Sequence, residues 1–154
     1  PVREFFTGVK RSVLAPDELI AAIRVPAAGG PEQFSKVGVR NAMVIAVSSF
    51  SIALDPSRGW VGTGFGSAAP TARPALAAEE FLAAELAANG LWDSRTTLPD
   101  STVQRFGDLV AQAAEPIDDV RGSAAYRRHS LAVLARRTLT WAWRSYQEEA
   151  RRCA

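Results

Sequence analysis

The apolar periodicity of this chain changes once, at Pro70, and that change dictates its architecture. Upstream, Phe50, Ile52 and Leu54 alternate with Ser49, Ser51 and Ala53, the repeat of a strand with one buried face and one more polar face. Asp55-Pro56-Ser57-Arg58-Gly59 follows, a turn in which proline presets one backbone angle and glycine accepts a positive one. Residues 60–67 are therefore predicted to return as a hairpin partner. Downstream, Pro74 sits where a first-turn proline is tolerated, residues 75–88 are rich in Ala, Leu and Glu, and Asn89-Gly90 supplies a stop. Asp100 or Ser101 is expected to cap a second helix, with Val103, Phe106, Val110 and Ala113 on one face and Pro116 closing it. Ser123 opens the last and longest helix. Strands first and helices afterwards define an α+β fold, an antiparallel sheet of about three or four strands packed against about three helices.

Two upstream segments are less determinate. Residues 19–25 read as a strand or a short helical turn that Pro26 ends, followed by the loop Ala27-Ala28-Gly29-Gly30-Pro31. Residues 42–54 are one long apolar stretch whose first half is apolar on both faces. A length of 154 residues suits a single domain. At 47% apolar and 22% charged residues, the composition excludes a disordered or collagen-like chain. Eighteen Lys and Arg against sixteen Asp and Glu leave +2, too small an excess to demand a nucleic-acid partner. No run approaches the roughly 18 apolar residues of a membrane span, and no leader pattern opens the chain. The expectation is a cytoplasmic protein without membrane or nucleic-acid partners. Because the sequence begins at Pro1 without an initiator Met, it reads as a fragment or a processed piece.

Most site chemistries are excluded by count. Cys153 is the only cysteine and His129 the only histidine, which removes internal disulfides, thiolate clusters and two-imidazole metal sites. His129 has no nucleophile elbow to serve. The adjacent pairs Asp118-Asp119 and Glu148-Glu149 do not converge on one point of a helix. Gly62-Thr63-Gly64-Phe65-Gly66 fits neither the dinucleotide fingerprint nor the phosphate loop. Alternate glycines instead bare one face of a strand, for packing or for a flat ligand.

On the last helix, Leu131, Leu134, Thr138, Trp141, Ala142 and Ser145 share a face with Arg127, while Arg137, Arg144 and Arg151 form a separate line. That line is a solvated face, a subunit contact or a weak phosphate contact. Arg127, on the apolar side, is predicted to be buried and to need a carboxylate or backbone carbonyls as partners, and Asp118 or Asp119 just before the helix can supply the carboxylate.

Four stretches, in order, resemble one family. They are Phe5-Phe6-Thr7-Gly8-Val9-Lys10-Arg11-Ser12 with Pro16-Asp17-Glu18-Leu19-Ile20 and Ile23-Arg24-Val25-Pro26; Phe34-Ser35-Lys36-Val37-Gly38 with Arg40-Asn41-Ala42-Met43-Val44-Ile45-Ala46; Gly66-Ser67-Ala68-Ala69-Pro70-Thr71 with Arg73; and Asp119-Val120-Arg121-Gly122-Ser123-Ala124-Ala125-Tyr126-Arg127-Arg128. The chain resembles the C-terminal domain of the FAD-binding medium subunit of molybdenum hydroxylases, the xanthine dehydrogenase and carbon monoxide dehydrogenase group.

The resemblance implies that residues 1–154 are one C-terminal domain, with the FAD-cradling N-terminal domain absent from this chain. It implies a partner large subunit carrying molybdopterin and a small subunit carrying 2Fe-2S clusters, with FAD passing electrons to NAD or another acceptor, and an inactive fragment when alone. By the same resemblance, Ile20 matches an aliphatic residue beside the flavin and Lys36 a lysine close to the cofactor. Arg40, Asn41 and Ile45 lie in a flavin-side loop whose acidic positions are here Ala42, Met43 and Val44. An apolar wall excludes water from the ring, and a cation near its pyrimidine edge favours the reduced state. Two alternatives stay open: a non-redox ligand- or protein-binding module, and a weak nucleic-acid binder using the arginine line.

Overall fold

Phe50, Phe106, Leu131 and Leu139 are fully buried and mark the seam between a sheet and three helices in the computed structural model of the chain. The structure describes residues 1–25, 29–41 and 43–153, the side chains of 3 and 150–153 excepted. The expected Pro26 stop, and Ala27 and Ala28 of the expected loop, lie outside the described residues. In chain order the elements are α1 (Val2–Phe5), β1 (Phe6–Gly8), β2 (Arg11–Ser12), β3 (Glu32–Val37), β4 (Ser48–Asp55), β5 (Trp60–Gly66), α2 (Leu76–Ala88), α3 (Leu91–Ser94), α4 (Asp100–Gln112) and α5 (Ala124–Cys153). β3, β4 and β5 form one antiparallel sheet in that order, and β1 and β2 a separate two-stranded ribbon. The α+β fold with a small antiparallel sheet and helices on one side is thus observed.

The β4–β5 hairpin forms as its turn residues dictate. Asp55 accepts a bond from the Arg58 amide, Pro56 opens a single 3-10 turn, and Gly59 takes φ 58°, a left-handed geometry that favours glycine. Pairing of Phe50 with Phe65, Ile52 with Thr63 and Leu54 with Val61 puts both strands' apolar residues on the helix-covered side. The other side carries three rows, Glu32-Ala53-Gly62, Phe34-Ser51-Gly64 and Lys36-Ser49-Gly66.

Helix α5 lies against the sheet through two hydroxyl pairs, Ser35 with Thr138 and Ser48 with Ser130, each at 2.8 Å. These satisfy polar groups that burial would otherwise penalise. Helix α4 packs on α5 closely enough that a Cβ on Gly107 would fall 2.6 Å from Arg136 Cγ. Bulk at this position would push the helices apart.

The first half of the apolar stretch, residues 43–46, is a loop as the resemblance implies, with Met43 and Ile45 exposed, and β4 begins only at Ser48. Two expectations are corrected. Residues 19–25 form neither strand nor helical turn; Leu19, Ile23 and Val25 stand at least 80% exposed, so no sheet edge or core holds them. Trp141 does not share the buried stripe of α5. It is exposed, and Trp143 is buried instead. The stripe turns around the helix because its partner changes: the first half packs on the sheet, whereas Trp143 donates to the Thr96 carbonyl of the α3–α4 connection and Tyr146 to the Trp92 carbonyl of α3. A smaller difference is the start of α4, where Pro99 is the cap residue and no side chain caps. Asp100 instead places its charge in the first turn, where the helix dipole favours it.

Candidate functional site

Strand alternation places Lys36 on the uncovered face of the sheet, beside Phe34 and one register step from the β3–β4 loop, residues 38–46. Cations fold that loop. Lys36 Nζ donates to the Val44 carbonyl at 2.9 Å and Arg40 Nη2 to the Met43 carbonyl at 3.2 Å. The Val47 amide closes the loop on the Val37 carbonyl at 2.7 Å. Gly38 is required for this shape, because a Cβ there would collide with Val44 Cγ1. With its carbonyls turned inward to the two cations, the loop presents Val39, Met43 and Ile45 to solvent.

Val39, Arg40, Met43, Val44, Ile45 and Arg121 line a groove of about 490 Å³, which brings Arg40 and Ile45 together. Asn41 is exposed and does not line it. Ile20 is half-exposed in a different groove of about 430 Å³, beside Phe6, Leu14, Pro70 and Thr71. Ile20 and Lys36 therefore share no cavity in this chain. The glycine run of β5 is filled by its own neighbours: the Trp60 ring lies over Gly62, and a Cβ on Gly64 or Gly66 would fall 2.9 Å from Ser51 Oγ or Ser49 Oγ. This supports the packing reading of those glycines over a phosphate cradle.

Behind the loop stands Arg127, 4% exposed as the phase of α5 predicts. Its Nη1 donates to the Val47 carbonyl at 2.9 Å and the Ser67 carbonyl at 2.6 Å, and its Nη2 to Asp119 Oδ1 at 2.5 Å. Of the two acids considered from sequence, Asp119 is the partner. Asp118 instead accepts from the Ala124 amide at the start of α5, where Ser123 Oγ also caps by accepting from Tyr126. Arg127 thus joins the end of the β3–β4 loop, the exit of β5 and the turn before α5.

Asp119 also accepts from the Arg121 amide at 2.8 Å, and its Oδ2 lies 3.3 Å from Arg121 Nη1. The Arg121 backbone bond, reinforced by the Arg127 and Arg121 charges and opposed by burial, holds the Asp119 carboxyl below the usual carboxylate range. Arg121 was not singled out from sequence. Its signal was available, since an arginine two residues after an aspartate in a glycine turn can return both amide and side chain to that carboxylate. Among the described residues no group of three or more His, Cys, Asp or Glu side chains is arranged to hold a metal, and no helix is long and apolar enough to cross a membrane.

The family profile described as CO dehydrogenase flavoprotein C-terminal domain matches residues 35–142. Among solved structures, the chain superposes on a chain of the carbon monoxide dehydrogenase of Hydrogenophaga pseudoflava with a TM-score of 0.78 at 27% identity, covering 94% of this chain and 48% of that one. The CO dehydrogenase of Oligotropha carboxidovorans gives 0.75 at 24% identity, covering 93% and 48%. The quinoline 2-oxidoreductase of Pseudomonas putida 86 gives 0.74 at 20%, covering 93% and 47%. None of the curated proteins compared with the chain matches it. The fold, a three-stranded sheet backed by helices, is thus the one found in subunits of molybdenum hydroxylases. The chain belongs to the CO dehydrogenase flavoprotein C-terminal domain family, and it spans about half the length of the solved chains it matches.

Proposed function

We propose that this chain is the flavin-closing domain of a molybdenum hydroxylase, working beside an FAD-cradling domain, a molybdopterin-bearing large subunit and a 2Fe-2S small subunit in the cytoplasm. The observation that carries this reading is the family match over residues 35–142, on a fold that aligns with half of each relative's chain. The exposed apolar residues support it. Val39, Met43 and Ile45 line one groove and are each more than 60% exposed, and uncovered apolar surface gathered in this way marks a contact.

FAD is the cofactor this family implies, and the residues suited to it stand at separate places, since Ile20 and Lys36 share no cavity in this chain. The chain offers a cation on an open face in Lys36 and apolar side chains in Ile20 and Ile45, but the glycines of β5 are filled by Trp60, Ser51 and Ser49 and make no phosphate cradle. Bound FAD would supply electron transfer from iron-sulfur clusters to NAD or another acceptor, as in enzymes of the xanthine dehydrogenase type. Lys36 would place its charge near the ring and stabilise added negative charge, while Ile20 would exclude water from one side. The chain alone is inactive on this reading, since it holds one wall only.

The test is rapid-mixing reduction of the assembled complex by substrate, followed separately at the iron-sulfur and flavin absorbances, with reoxidation measured in a second mix. Substitutions at Ile20 and Lys36 should alter the flavin phase and leave reduction of the molybdenum centre unchanged. Slowed molybdenum reduction with unaltered flavin behaviour would remove this domain from the flavin end.

A further inference from the structure

The open face of the sheet holds a groove of about 620 Å³ that neither the fold nor the flavin reading uses. Its floor is made of small residues, Ala53 and Gly62 in the row of Glu32 and Ser51 in the next. The Ser51 hydroxyl already donates to the Gly64 carbonyl at 3.2 Å, so the floor asks for no polar partner. The walls are apolar: Phe34 on β3, Trp60 on β5 and Leu76 at the start of α2, which are 64%, 44% and 53% exposed. The Trp60 ring is seated on Gly62 and is therefore a fixed wall.

Two carboxylates line this groove, and among the described residues no cation does. Glu79 is held by β5: its Oε1 accepts from the Thr63 amide at 2.7 Å and from the Thr63 hydroxyl at 2.8 Å, and its second oxygen remains to accept from outside. Glu32, at the start of β3, is exposed. Among the described residues neither is in an ion pair. Arg58, which lies over the Trp60 ring at 5.7 Å, is matched by Asp55 at 3.9 Å. On a chain of net charge +2, this trough is negative. Two strand spacings, about 10 Å, separate Glu32 from the β5 edge that holds Glu79, so a carboxylate stands on either side of an apolar floor.

We infer that the groove docks an extended segment of a partner protein in which two basic residues flank apolar ones. The cations reach Glu32 and Glu79, and the apolar side chains lie on the Ala53 and Gly62 floor between Phe34 and Trp60. Charge decides the occupant. Nucleic acid and other anions would meet two carboxylates. Two-fold self-pairing through this face would set Glu32 and Glu79 of one copy against the same residues of the other, and like charges brought together oppose association. A basic segment gains from both, because a lysine or arginine stem covers apolar surface while its head reaches a carboxylate, and the rings of Trp60 and Phe34 attract the same cations. A floor without bulk lets a second backbone approach closely. Glu79, fixed before contact, loses little side-chain freedom on binding. The groove lies two rows from Lys36, and the inference does not rest on the flavin reading.

The probe is a fluorescein-labelled, end-capped peptide with lysine at its first and fourth positions and leucine between, whose extended span of about 10 Å matches the groove. It is titrated into the full chain and followed by anisotropy, beside peptides with glutamine or glutamate in place of both lysines. The lysine peptide should bind about fivefold or more tightly than the glutamine peptide and the glutamate peptide more weakly still, with the differences shrinking as salt is raised. Glu32→Gln and Glu79→Gln should each weaken the lysine peptide about twofold or more, and Glu148→Gln, exposed on α5, should leave it unchanged. Glu79 also bonds Thr63, so Glu32→Lys decides: it should lower affinity for the lysine peptide and raise it for the glutamate peptide, a gain that partial unfolding does not produce. Absence of lysine-peptide binding, equal affinity for the three peptides, or indifference to Glu32 overturns the inference. A dimer of the chain that excludes the peptide would make a second copy the occupant and overturns it as well.

Discussion

Arg127 and Asp119, eight residues apart, form an ion pair with Nη2 2.5 Å from Oδ1, the arginine side chain 5% exposed and the aspartate 26%. The other amino group of the same guanidinium holds the Val47 and Ser67 carbonyls, so one side chain joins three segments that are distant in sequence. Removing it leaves a carboxylate and two carbonyls short of a donor. Arg127→Ala should destabilise the protein by about 3 kcal/mol or more, whereas Arg144→Ala, exposed on the same helix, should cost under about 1 kcal/mol. Chemical denaturation of both variants measures the difference, and equal small effects would refute the burial argument.

Asp119 makes this junction sensitive to acid. Its carboxyl titrates below the usual range because the Arg121 amide, then Arg127 and Arg121, favour the ionised form. A depressed folded-state pKa contributes stability that is complete above the unfolded value of about 3.9 and is lost as pH falls through the folded value. The stability gap between wild type and Asp119→Asn should therefore be constant from neutrality to about pH 4 and narrow below it. Denaturation curves across that range test this; a gap that persists undiminished at the acid end would show that the charge of Asp119 is not what matters.

Among the described residues the β5 glycines are filled by Trp60, Ser51 and Ser49 and form no glycine-rich cradle for FAD phosphates. Purified alone, the chain should be colourless. A stoichiometric yellow chromophore absorbing at about 450 nm, as oxidised flavins do, would show that this domain binds the cofactor unaided.

Within the assembled flavoprotein, Lys36→Ala removes a positive charge from beside the ring, so the flavin reduction potential should fall. For a two-electron couple, about 1.4 kcal/mol of lost stabilisation is roughly 30 mV. Ile20→Ala removes apolar cover, so FAD should be held less tightly. Redox titration and FAD retention read the two effects, and values equal to wild type would release both residues from the cofactor's surroundings. Lys36 also anchors Val44, so Lys36→Arg, which keeps the charge, should restore the potential if charge rather than loop shape is responsible.

Local sequence determined the elements whose residues agree at every level. The alternation around Phe50, the Asp55–Gly59 turn, the Asn89-Gly90 stop and the Ser123 cap all appear as their chemistry requires, because each depends on bonds within a few residues. The phase of α5 was enough to bury Arg127. Tertiary structure decided the rest. Residues 43–46 are as apolar as a strand, yet they are drawn into a loop by Lys36 and Arg40, cations whose reach to those carbonyls no periodicity encodes. Trp143 rather than Trp141 is buried because α5 exchanges the sheet for α3 and the α3–α4 connection partway along its length. Arg121 meets Arg40 only because Arg127 brings the turn before α5 against the end of the β3–β4 loop. The Arg127 bond to the Val47 carbonyl spans 80 residues of chain, and side-chain periodicity carries information only about neighbours one or two turns away.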